Sequence, residues 1–588
     1  MNDFAYFLNI ADFEKFEKDA NAKLQDNKHD YYFNTKTGFQ FLHDLSFSKV
    51  LSLNLAISSI SVSIEKSQLI FIIFIFLLYN GNINKGDKMQ INILEYLDKT
   101  VEKYPQKTAI IDNDKTISFQ ELNEKAKKLA TFIAKSNIIN QPIAIYLPKC
   151  INSIVSDIAI TYSGNAYMNL DVKNPIERIT NICNLIQPKF VITTSKYKSK
   201  IENIADINII NLDEFDFNCK INEEVLNSIS SKMIDTDPYC IINTSGSTGT
   251  PKGVVLNHRS FIDFTERSLE NFDITQNETI GSLSPLVFDI YSIELCLLMA
   301  RAATMVLIPD TLAAFPIEIL KLLKKQNVTF LFWVPTIMVN IANIDLLSKI
   351  DLSKLKIIWF AGEVFPTRQF NYWYKKLPNT TFANLYGPIE ITLDCTYYII
   401  NRDIPDNEPI PIGSAYKNTD ILILDENNIP SKEGELCVRG SSLAMGYYNN
   451  PEKTASAFVQ NPLNKSYPEI IYRTGDIVYI NSNGDIVFKG RKDNLIKHLG
   501  YRIELDEIEH IVINTLKIVK NGCVVYNKEK KEITMFYENK TEISPAEFRK
   551  RIGTMLPKYM IPTIYYRMDL LPRNTNGKID RLKLKNSL

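Results

Sequence analysis

The sequence has few of the residues that bind metals or form disulfides. It contains five histidines and eight cysteines among 588 residues, and no two cysteines form a C-x-x-C pair. A disulfide framework, a zinc knuckle and a histidine-based metal centre are therefore not expected. Scattered thiols are typical of a reducing compartment, so we expect a cytoplasmic protein.

An excess of charge of one sign is also lacking. Lys plus Arg and Asp plus Glu both number 67, which gives a formal net charge of zero. Nucleic acid and anionic membranes are therefore not favoured as partners. Hydrophobic residues make up 45% and charged residues 23%, as in ordinary soluble proteins. The chain length implies two to four domains.

The clearest apolar run, residues 69–78, reads L-I-F-I-I-F-I-F-L-L. It is about half the roughly 20 residues that a membrane-spanning helix needs, so no membrane span is expected. The run lies too far from the N-terminus for a signal peptide, and no small-residue cleavage site follows it. It would form a buried strand or helix, or else an exposed apolar liability.

Helix and strand signals alternate after residue 88. Residues 120–135 have helical spacing, whereas 142–147 and 190–194 are typical of short buried strands. This alternation predicts parallel α/β sheets. Short strands past residue 409, such as 421–424 and 435–438, predict a β-rich subdomain. The predicted fold class is thus α/β: a large N-terminal domain of α/β sheets plus a β-rich subdomain, with a small α+β C-terminal domain.

The segment 244–253 reads T-S-G-S-T-G-T-P-K-G and follows an apolar strand end at 241–243. Glycines let a backbone approach a ligand closely, and hydroxyl and N–H groups can donate to an anion. Lys252 adds positive charge. The segment is not a Walker A motif, because Pro251 precedes the lysine and Gly253 follows it. A flexible Ser- and Gly-rich linker is the alternative.

This segment resembles the phosphate-binding signature of the adenylate-forming superfamily. Its members include acyl-CoA synthetases, luciferases and the adenylation domains of nonribosomal peptide synthetases. Other motifs follow in the family's order, from about Met89 to the C-terminus. The resemblance implies an ATP-dependent acid–thiol ligase that uses ATP and Mg²⁺. It divides the chain into an atypical extension (1–88), an AMP-binding large domain (89–490) and a small mobile domain (491–588).

The resemblance also implies the nucleotide site. In the family's pattern Asn384 borders the adenine, Tyr386 stacks on it, and Asp476 accepts the ribose hydroxyls. A carboxylate can accept two O–H donors, and an aromatic ring gains roughly 1–3 kcal/mol against a base. The full set implied to bind ATP is Thr244, Ser245, Gly246, Ser247, Thr248, Gly249, Gly362, Glu363, Asn384, Tyr386, Gly387, Asp476, Arg491 and Lys578.

The implied catalytic residues are Thr248, Lys252, Glu390 and Lys578. Glu390 matches the carboxylate that binds Mg²⁺, a hard cation that prefers oxygen ligands. Lys578 matches the mobile lysine that stabilises negative charge as the carboxylate attacks phosphorus. A solvated lysine in an Asn-Gly turn is the alternative. Ile389 departs from the pattern, because the family has threonine there, and this puts turnover in doubt.

Asp289 matches the aspartate that pairs with the α-ammonium of the substrate in amino-acid-activating members. Fatty-acid and aryl-acid members lack it. A helix N-cap is the alternative for an aspartate here. The remaining residues implied to line the substrate side-chain pocket are Ile290, Ile293, Phe332, Trp359, Ala361, Leu385, Leu393 and Asp394. Two bulky rings and one deep acceptor favour a small residue such as serine, and D-alanine stays open.

The resemblance therefore implies that the chain activates an amino acid and passes it to a phosphopantetheinyl carrier protein. Gly500 matches the glycine that lets a pantetheine arm pass. The chain ends shortly after Lys578 and shows no carrier motif, so we expect a separate carrier protein. The alternatives are a D-alanine:carrier-protein ligase, an acyl-CoA synthetase and an inactive nucleotide-binding member of the family.

The first 88 residues generate a prediction about the translational start. Met89 opens the stretch that resembles the usual start of the family, and Lys85-Gly86-Asp87 can be encoded by a purine-rich, GGAG-containing string like a bacterial ribosome-binding site. We expect natural translation to begin at Met89. The intact mass of protein made from its own promoter tests this, and a mass that includes the first 88 residues would contradict it.

Overall fold

The computed structural model describes residues 90–204, 207–246, 251–574 and 579–588. They belong to one compact unit, Met89–Leu588. The apolar run 69–78, like the rest of the predicted extension 1–88, lies outside the described residues. Within the described ranges, no helix has both the length and the apolar character that crossing a membrane requires.

Helices cover the sheets of the large domain and pack within the small one. Helix α2 shows why they form where they do: Ser118 and Glu121 make a reciprocal capping box, and apolar positions recur on one face. The helices are α1 (Leu94–Lys103), α2 (Phe119–Ala134), α3 (Ile151–Tyr162), α4 (Ile176–Ile186), α5 (Ser195–Ile201), α6 (Glu223–Ser230), α7 (His258–Asn271), α8 (Asp289–Arg301), α9 (Pro316–Lys325), α10 (Pro335–Asn343), α11 (Thr367–Lys376), α12 (Pro451–Ala457), α13 (Leu505–His510), α14 (Pro545–Ile552) and α15 (Arg581–Lys585).

Strands in the first part of the chain are short, and most of them are buried. They are β1 (Thr108–Asp112), β2 (Lys115–Ser118), β3 (Pro142–Ile145), β4 (Ala166–Asn169), β5 (Phe190–Thr193), β6 (Asn208–Asn211), β7 (Pro238–Thr244), β8 (Lys252–Asn257), β9 (Thr279–Ser282), β10 (Thr304–Leu307), β11 (Phe330–Trp333), β12 (Ile357–Phe360), β13 (Thr381–Tyr386), β14 (Thr396–Ile399) and β15 (Ser414–Ala415). Strands β2, β6 and β15 each include exposed residues.

Strands in the later part are longer and mostly antiparallel. They are β16 (Thr419–Leu424), β17 (Glu433–Gly440), β18 (Gly446–Tyr447), β19 (Phe458–Gln460), β20 (Ile470–Ile480), β21 (Ile486–Arg491), β22 (Leu495–His498), β23 (Tyr501–Glu504), β24 (Asn521–Asn527), β25 (Glu532–Glu538) and β26 (Ile564–Met568). Short 3₁₀ turns cover Asp310–Ala314, Leu346–Ser348, Ile389–Ile391 and Lys558–Met560, and a π turn covers Ile511–Thr515.

Two large sheets form the core of the large domain. One has the order β15-β14-β13-β12-β11-β9-β10-β1-β2 and the other β18-β8-β7-β4-β3-β5-β6. Their inner strands are parallel, and three of the four edges are antiparallel, whereas the edge strand β6 pairs with β5 in parallel. The largest apolar cluster contains residues of both sheets, such as Ile143 and Phe332, together with most of α8. Helix α8 is therefore buried nearly all round, as its apolar sequence requires.

The later strands form the β-rich subdomain and the small domain. The subdomain sheet has the order β16-β17-β20-β19, with β21 paired to β20. Strand β21 ends at Arg491, next to the predicted domain boundary. After it come the β22–β23 hairpin and the β24-β25-β26 sheet, which packs with α13 and α14 around a separate apolar cluster. The α/β fold class and the predicted elements at 120–135, 142–147, 190–194, 421–424 and 435–438 are confirmed.

Candidate active site

The site is a cavity of about 150 Å³ at the carboxyl ends of strands from both large sheets. This is the edge at which parallel α/β sheets bind ligands. Strand β7 leads to the phosphate loop, and β12 and β13 lead to the two turns behind it. The β22–β23 hairpin of the small domain forms part of the wall. The predicted site residues that line the cavity are Thr244, Ser245, Asp289, Ile290, Gly362, Gly387, Asp476, Arg491 and Gly500.

The base of the phosphate loop is a strand pair. Strands β7 and β8 are antiparallel, and Thr244 lies opposite Lys252. In the turn after β13, the backbone at Leu393 passes so close to Gly387 that no side chain fits. A Cβ on Gly387 would lie 2.2 Å from the backbone oxygen of Leu393. The predicted residues Ser247, Thr248, Gly249 and Lys578 lie outside the described residues, and their roles stay predictions.

The described end of the phosphate loop bonds to the small domain. The Ser245 hydroxyl donates to the backbone oxygen of Arg502 at 2.8 Å and accepts from the N–H of Glu504 at 3.1 Å. The N–H of Gly246 donates to the carboxylate of Glu507 at 3.3 Å. Groups predicted to bind phosphate are therefore in contact with the hairpin and with α13.

Glu390 is a fully buried carboxylate surrounded by donors. Its Oε2 accepts from the guanidinium of Arg502 at 2.6 Å, and its Oε1 accepts from the Tyr447 hydroxyl at 2.8 Å. The ammonium of Lys252 lies 3.5 Å from Oε1 and 3.3 Å from the carboxylate of Glu504. Burial would raise the pKa of Glu390, but the charges of Arg502 and Lys252 outweigh it and hold the pKa below its ordinary value. The carboxylate therefore carries its charge.

The predicted adenosine residues meet at one aspartate. Asp476 lies opposite Arg491 in the pairing of β20 with β21. One oxygen of Asp476 accepts from the Tyr386 hydroxyl and the other from the Arg491 guanidinium, which also pairs with Asp493 at 2.7 Å. Burial and the charge of Asp476 raise the pKa of Tyr386 well above its ordinary value, so the phenol keeps its proton.

Two other predicted nucleotide residues have partners in the protein. The carboxylate of Glu363 accepts from the N–H groups of Thr336 at 3.0 Å and Gly500 at 2.8 Å. The amide of Asn384 donates to the backbone oxygen of Pro411 at 2.7 Å. Neither Glu363 nor Asn384 is among the described residues that line the cavity.

Asp289 stands at the cavity wall at the start of α8. Phe288 holds the N-cap position, so the alternative that Asp289 is an N-cap is wrong. The carboxylate accepts from the N–H of Ile290 at 3.0 Å, and Lys497 of the hairpin lines the same cavity. Desolvation raises the pKa of Asp289, while the Ile290 N–H and the charge of Lys497 oppose the rise. Desolvation thus disfavours the charged form of Asp289, and a cationic partner would offset that effect.

The other residues of the predicted substrate pocket pack together. Phe332 of β11 lies opposite Trp359 of β12, with ring centroids 5.5 Å apart. Burial, followed by the charge of Asp289, raises the pKa of Asp394 well above its ordinary value. All six are buried, and none is among the described cavity-lining residues: Phe332, Trp359, Ala361, Leu385, Leu393 and Asp394.

Sequence reasoning missed a buried acid behind the cavity. Asp157 of α3 accepts from the Tyr291 hydroxyl at 2.5 Å and from the amide of Asn169 at 3.0 Å. Asn169 lines the cavity, and Tyr291 follows Asp289 by two residues on α8. Asp157 therefore fixes two elements of the wall. The sequence signal that could have identified Asp157 is a single acidic residue within the apolar helical run 154–160.

Sequence reasoning also missed the ion pairs between the two domains. Arg178 of α4 and Glu507 of α13 form a buried pair at 2.7 Å, and Arg502 pairs with Glu390. The partners are 329 and 112 residues apart in the chain. No local pattern can indicate such pairs, because long-range docking decides them.

Asp157→Asn should reduce the loss of stability at raised pH. Burial raises the pKa of Asp157 to about 8, whereas an aspartate in an unfolded chain titrates near about 3.9. The native state therefore binds more protons between these values, and the free energy of unfolding falls as pH rises. Melting temperatures measured between about pH 5 and about pH 8 should fall more for the wild type than for Asp157→Asn. Equal falls would contradict this account.

Comparisons with known proteins indicate the family to which the chain belongs. The family model described as AMP-binding enzyme matches residues 97–448. The chain is 30% identical over 511 residues to zwittermicin A synthase ZmaJ of Bacillus cereus, which covers 84% of this chain and 94% of that protein. It is also 30% identical to gramicidin S synthase 1 of Brevibacillus brevis, but spans 44% of its length.

A solved structure supports the fold. The adenylation domain AlmE of Vibrio cholerae, solved in complex with glycyl-adenosine-5'-phosphate, has a TM-score of 0.73. The match covers 85% of this chain and 98% of AlmE at 21% identity, and at that identity the likeness concerns the fold alone. Together, the cavity at the strand ends, the family model and the relatives show that this chain belongs to the AMP-binding enzyme family of adenylate-forming ligases.

Proposed function

We propose that this enzyme joins ATP and a small amino acid into aminoacyl-AMP, releases pyrophosphate, and passes the aminoacyl group to the phosphopantetheine thiol of a separate carrier protein. The observation that carries the proposal is the Asp289 carboxylate on the cavity wall. A desolvated carboxylate there favours a ligand with a cation, and the α-ammonium of an amino acid supplies one. A fatty or aryl acid would leave Asp289 without that partner.

Glu390 fits a role as the Mg²⁺ ligand. Protein sites usually hold Mg²⁺ with one or two carboxylates and with phosphate oxygens of the substrate. Over the described ranges, no cluster of three or more His, Cys, Asp or Glu side chains could hold a metal ion. We therefore assign Mg²⁺ to Glu390 together with the phosphates of ATP, where the ion would offset phosphate charge.

The proposed side-chain pocket suits a small substrate with a polar end. Phe332 on β11 and Trp359 on β12 lie side by side on adjacent strands, and two bulky rings at these positions favour a small substrate side chain. The indole N–H of Trp359 has no hydrogen-bond partner within the described structure. An unsatisfied donor beside the proposed pocket favours a substrate with an acceptor, such as the hydroxyl of serine.

Unpaired polar atoms support entry of an amide-bearing thiol. Asn169, Asn174, Asn243 and Thr244 all line the cavity, and each has a buried side-chain atom that lacks a partner within the described structure. Such atoms cost free energy unless a ligand satisfies them. A phosphopantetheine arm carries amide donors and acceptors and can form hydrogen bonds with these atoms.

The eight cysteines are free, in keeping with a cytoplasmic enzyme.

Asp289→Asn should weaken amino-acid activation by a selective loss of substrate binding. The amide keeps the size of the side chain and an acceptor for the Ile290 N–H, but it loses the charge. A charged hydrogen bond contributes about 1.5–3 kcal/mol, so the KM for the amino acid in ATP–pyrophosphate exchange should rise by about 10- to 150-fold. The KM for ATP should stay at the wild-type value.

The same ATP–pyrophosphate exchange assay should be run with each common amino acid, with D-alanine, and with fatty and aryl acids. Asp310→Asn, a partly exposed acid paired with Lys173, is the matched control and should behave as wild type. Exchange with a fatty or aryl acid alone would contradict the proposal and indicate an acyl-CoA synthetase. Absence of exchange with every acid, despite ATP binding, would indicate an inactive member.

Gly500→Ala should slow the thiol step and spare the first step. Gly500 has φ +82, and a Cβ there would lie 3.1 Å from the Val334 side chain. The added methyl group would displace the pantetheine thiol, and small misplacements of reacting groups slow a reaction strongly. Transfer of the aminoacyl group to pantetheine should therefore slow by about tenfold or more, while pyrophosphate exchange is retained. Gly484→Ala is the matched control, since Gly484 has φ +87 but open space around it. Equal transfer rates in the two variants would contradict the assigned path.

A further inference from the structure

One lysine joins the two large sheets at the segment that leads to α8. Lys149 lies between β3 and α3, and its ammonium donates to the backbone oxygens of Ser282 at 2.8 Å and Ser284 at 3.1 Å. Ser282 ends β9, which belongs to the other large sheet. Because an ammonium carries three donors, one side chain can hold both carbonyl groups and so fix the direction in which the chain leaves β9.

The same strand end is bonded to α8 through a buried acid. The Ser282 hydroxyl donates to one carboxylate oxygen of Glu294 at 2.6 Å, and the other oxygen has no hydrogen-bond partner within the described structure. Glu294 has no exposure to water. Burial raises the pKa of Glu294 and lowers that of Lys149, and the charge of each opposes the shift of the other. The ammonium and the carboxylate therefore stabilise each other on either side of Ser282.

These contacts lead to the proposed substrate-binding acid. Residues 283–288 connect Ser282 to Asp289, and Phe288 among them lines the cavity. The beginning of this connection is held by Lys149. Its end is held by α8, which is bonded to the hydroxyl of the same serine. A displacement at Lys149 is therefore passed along the connection to Asp289.

We propose that Lys149 is a positioning residue that, through Ser282 and Glu294, holds the Asp289 carboxylate where the substrate ammonium binds. This inference rests on the proposed function, because it concerns the acid proposed to bind the amino acid. Lys149 is not among the described residues that line the cavity, so it acts on the substrate through Asp289. Its effect should depend on whether the substrate carries an ammonium group, since this is the group that Asp289 would bind.

Lys149→Met tests the proposal in ATP–pyrophosphate exchange with two matched acids. One is the amino acid that the enzyme prefers, and the other is its analogue in which an α-hydroxyl replaces the α-ammonium. Methionine keeps an unbranched side chain but removes the charge and the donors. The ratio of kcat/KM for the amino acid to kcat/KM for its analogue should fall by about tenfold or more, because small misplacements of binding groups are costly. A general loss of stability would lower both values together and leave their ratio unchanged.

Lys107→Met is the matched control variant. The Lys107 ammonium also donates to two backbone oxygens, those of Gln276 and Ala302. Ala302 caps the end of α8 that lies opposite Asp289. This variant therefore loosens the same helix without removing a contact of the connection 283–288. Its ratio for the two acids should equal that of the wild type.

Three further variants separate the positioning role from packing. Lys149→Arg keeps a cation with donors and should restore most of the ratio. Ser282→Ala removes only the hydroxyl that reaches Glu294, should lower the ratio by about threefold, and serves as the test if Lys149→Met does not fold. In an Asp289→Asn background, Lys149→Met should leave the ratio unchanged, because the charge that it positions is already absent.

Either of two results would overturn the proposal. One is an equal ratio in the wild type, Lys149→Met and Ser282→Ala. The other comes from amide hydrogen exchange of residues 283–288 without any ligand, which should be faster in Lys149→Met than in the wild type and in Lys107→Met. Equal hydrogen exchange in all three would contradict the positioning role. Failure of the proposed function is a separate result, namely no amino-acid-dependent pyrophosphate exchange in the wild type, and the hydrogen-exchange readout does not depend on it.

Discussion

The buried charge of Glu390 is the constraint on which the arrangement of this site depends. A carboxylate with no exposure to water needs compensating cations, and Lys252 and Arg502 supply them from opposite sides. Lys252 comes from the strand that follows the phosphate loop, and Arg502 comes from the small domain. One buried anion therefore links the loop, the turn after β13 and the docked hairpin.

The sheets supply the geometry that the charges need. The parallel strands of the two large sheets end at one cavity, where the segments that follow β7, β12 and β13 place Ser245, Gly362 and Gly387. Helix α8 begins at the cavity wall with Asp289. The Tyr291 hydroxyl of α8 donates to the carboxylate of Asp157, which fastens α8 to α3.

Much of this could be predicted from the sequence because the determining features are local. The Gly-rich segment after an apolar strand, the Gly-Pro turn before Glu390 and the alternating strands each occupy short stretches of sequence, and Thr244, Ser245 and Gly387 of these stretches line one cavity. The pairs that dock the small domain could not be predicted, since Lys252 and Glu504 are 252 residues apart. Asp157 was missed for another reason: its partners come from β4 and α8, and an isolated helix does not identify them.

The central claim is that the cavity activates an amino acid as its adenylate. Its most direct test is single-turnover incubation of the protein with ATP, Mg²⁺ and a mixture of amino, fatty and aryl acids, followed by mass spectrometry of the molecules that remain bound. The account predicts one retained species with the mass of a small aminoacyl-AMP. An adenylate of an acid that lacks an ammonium group, or bound ATP with no adenylate, would contradict it.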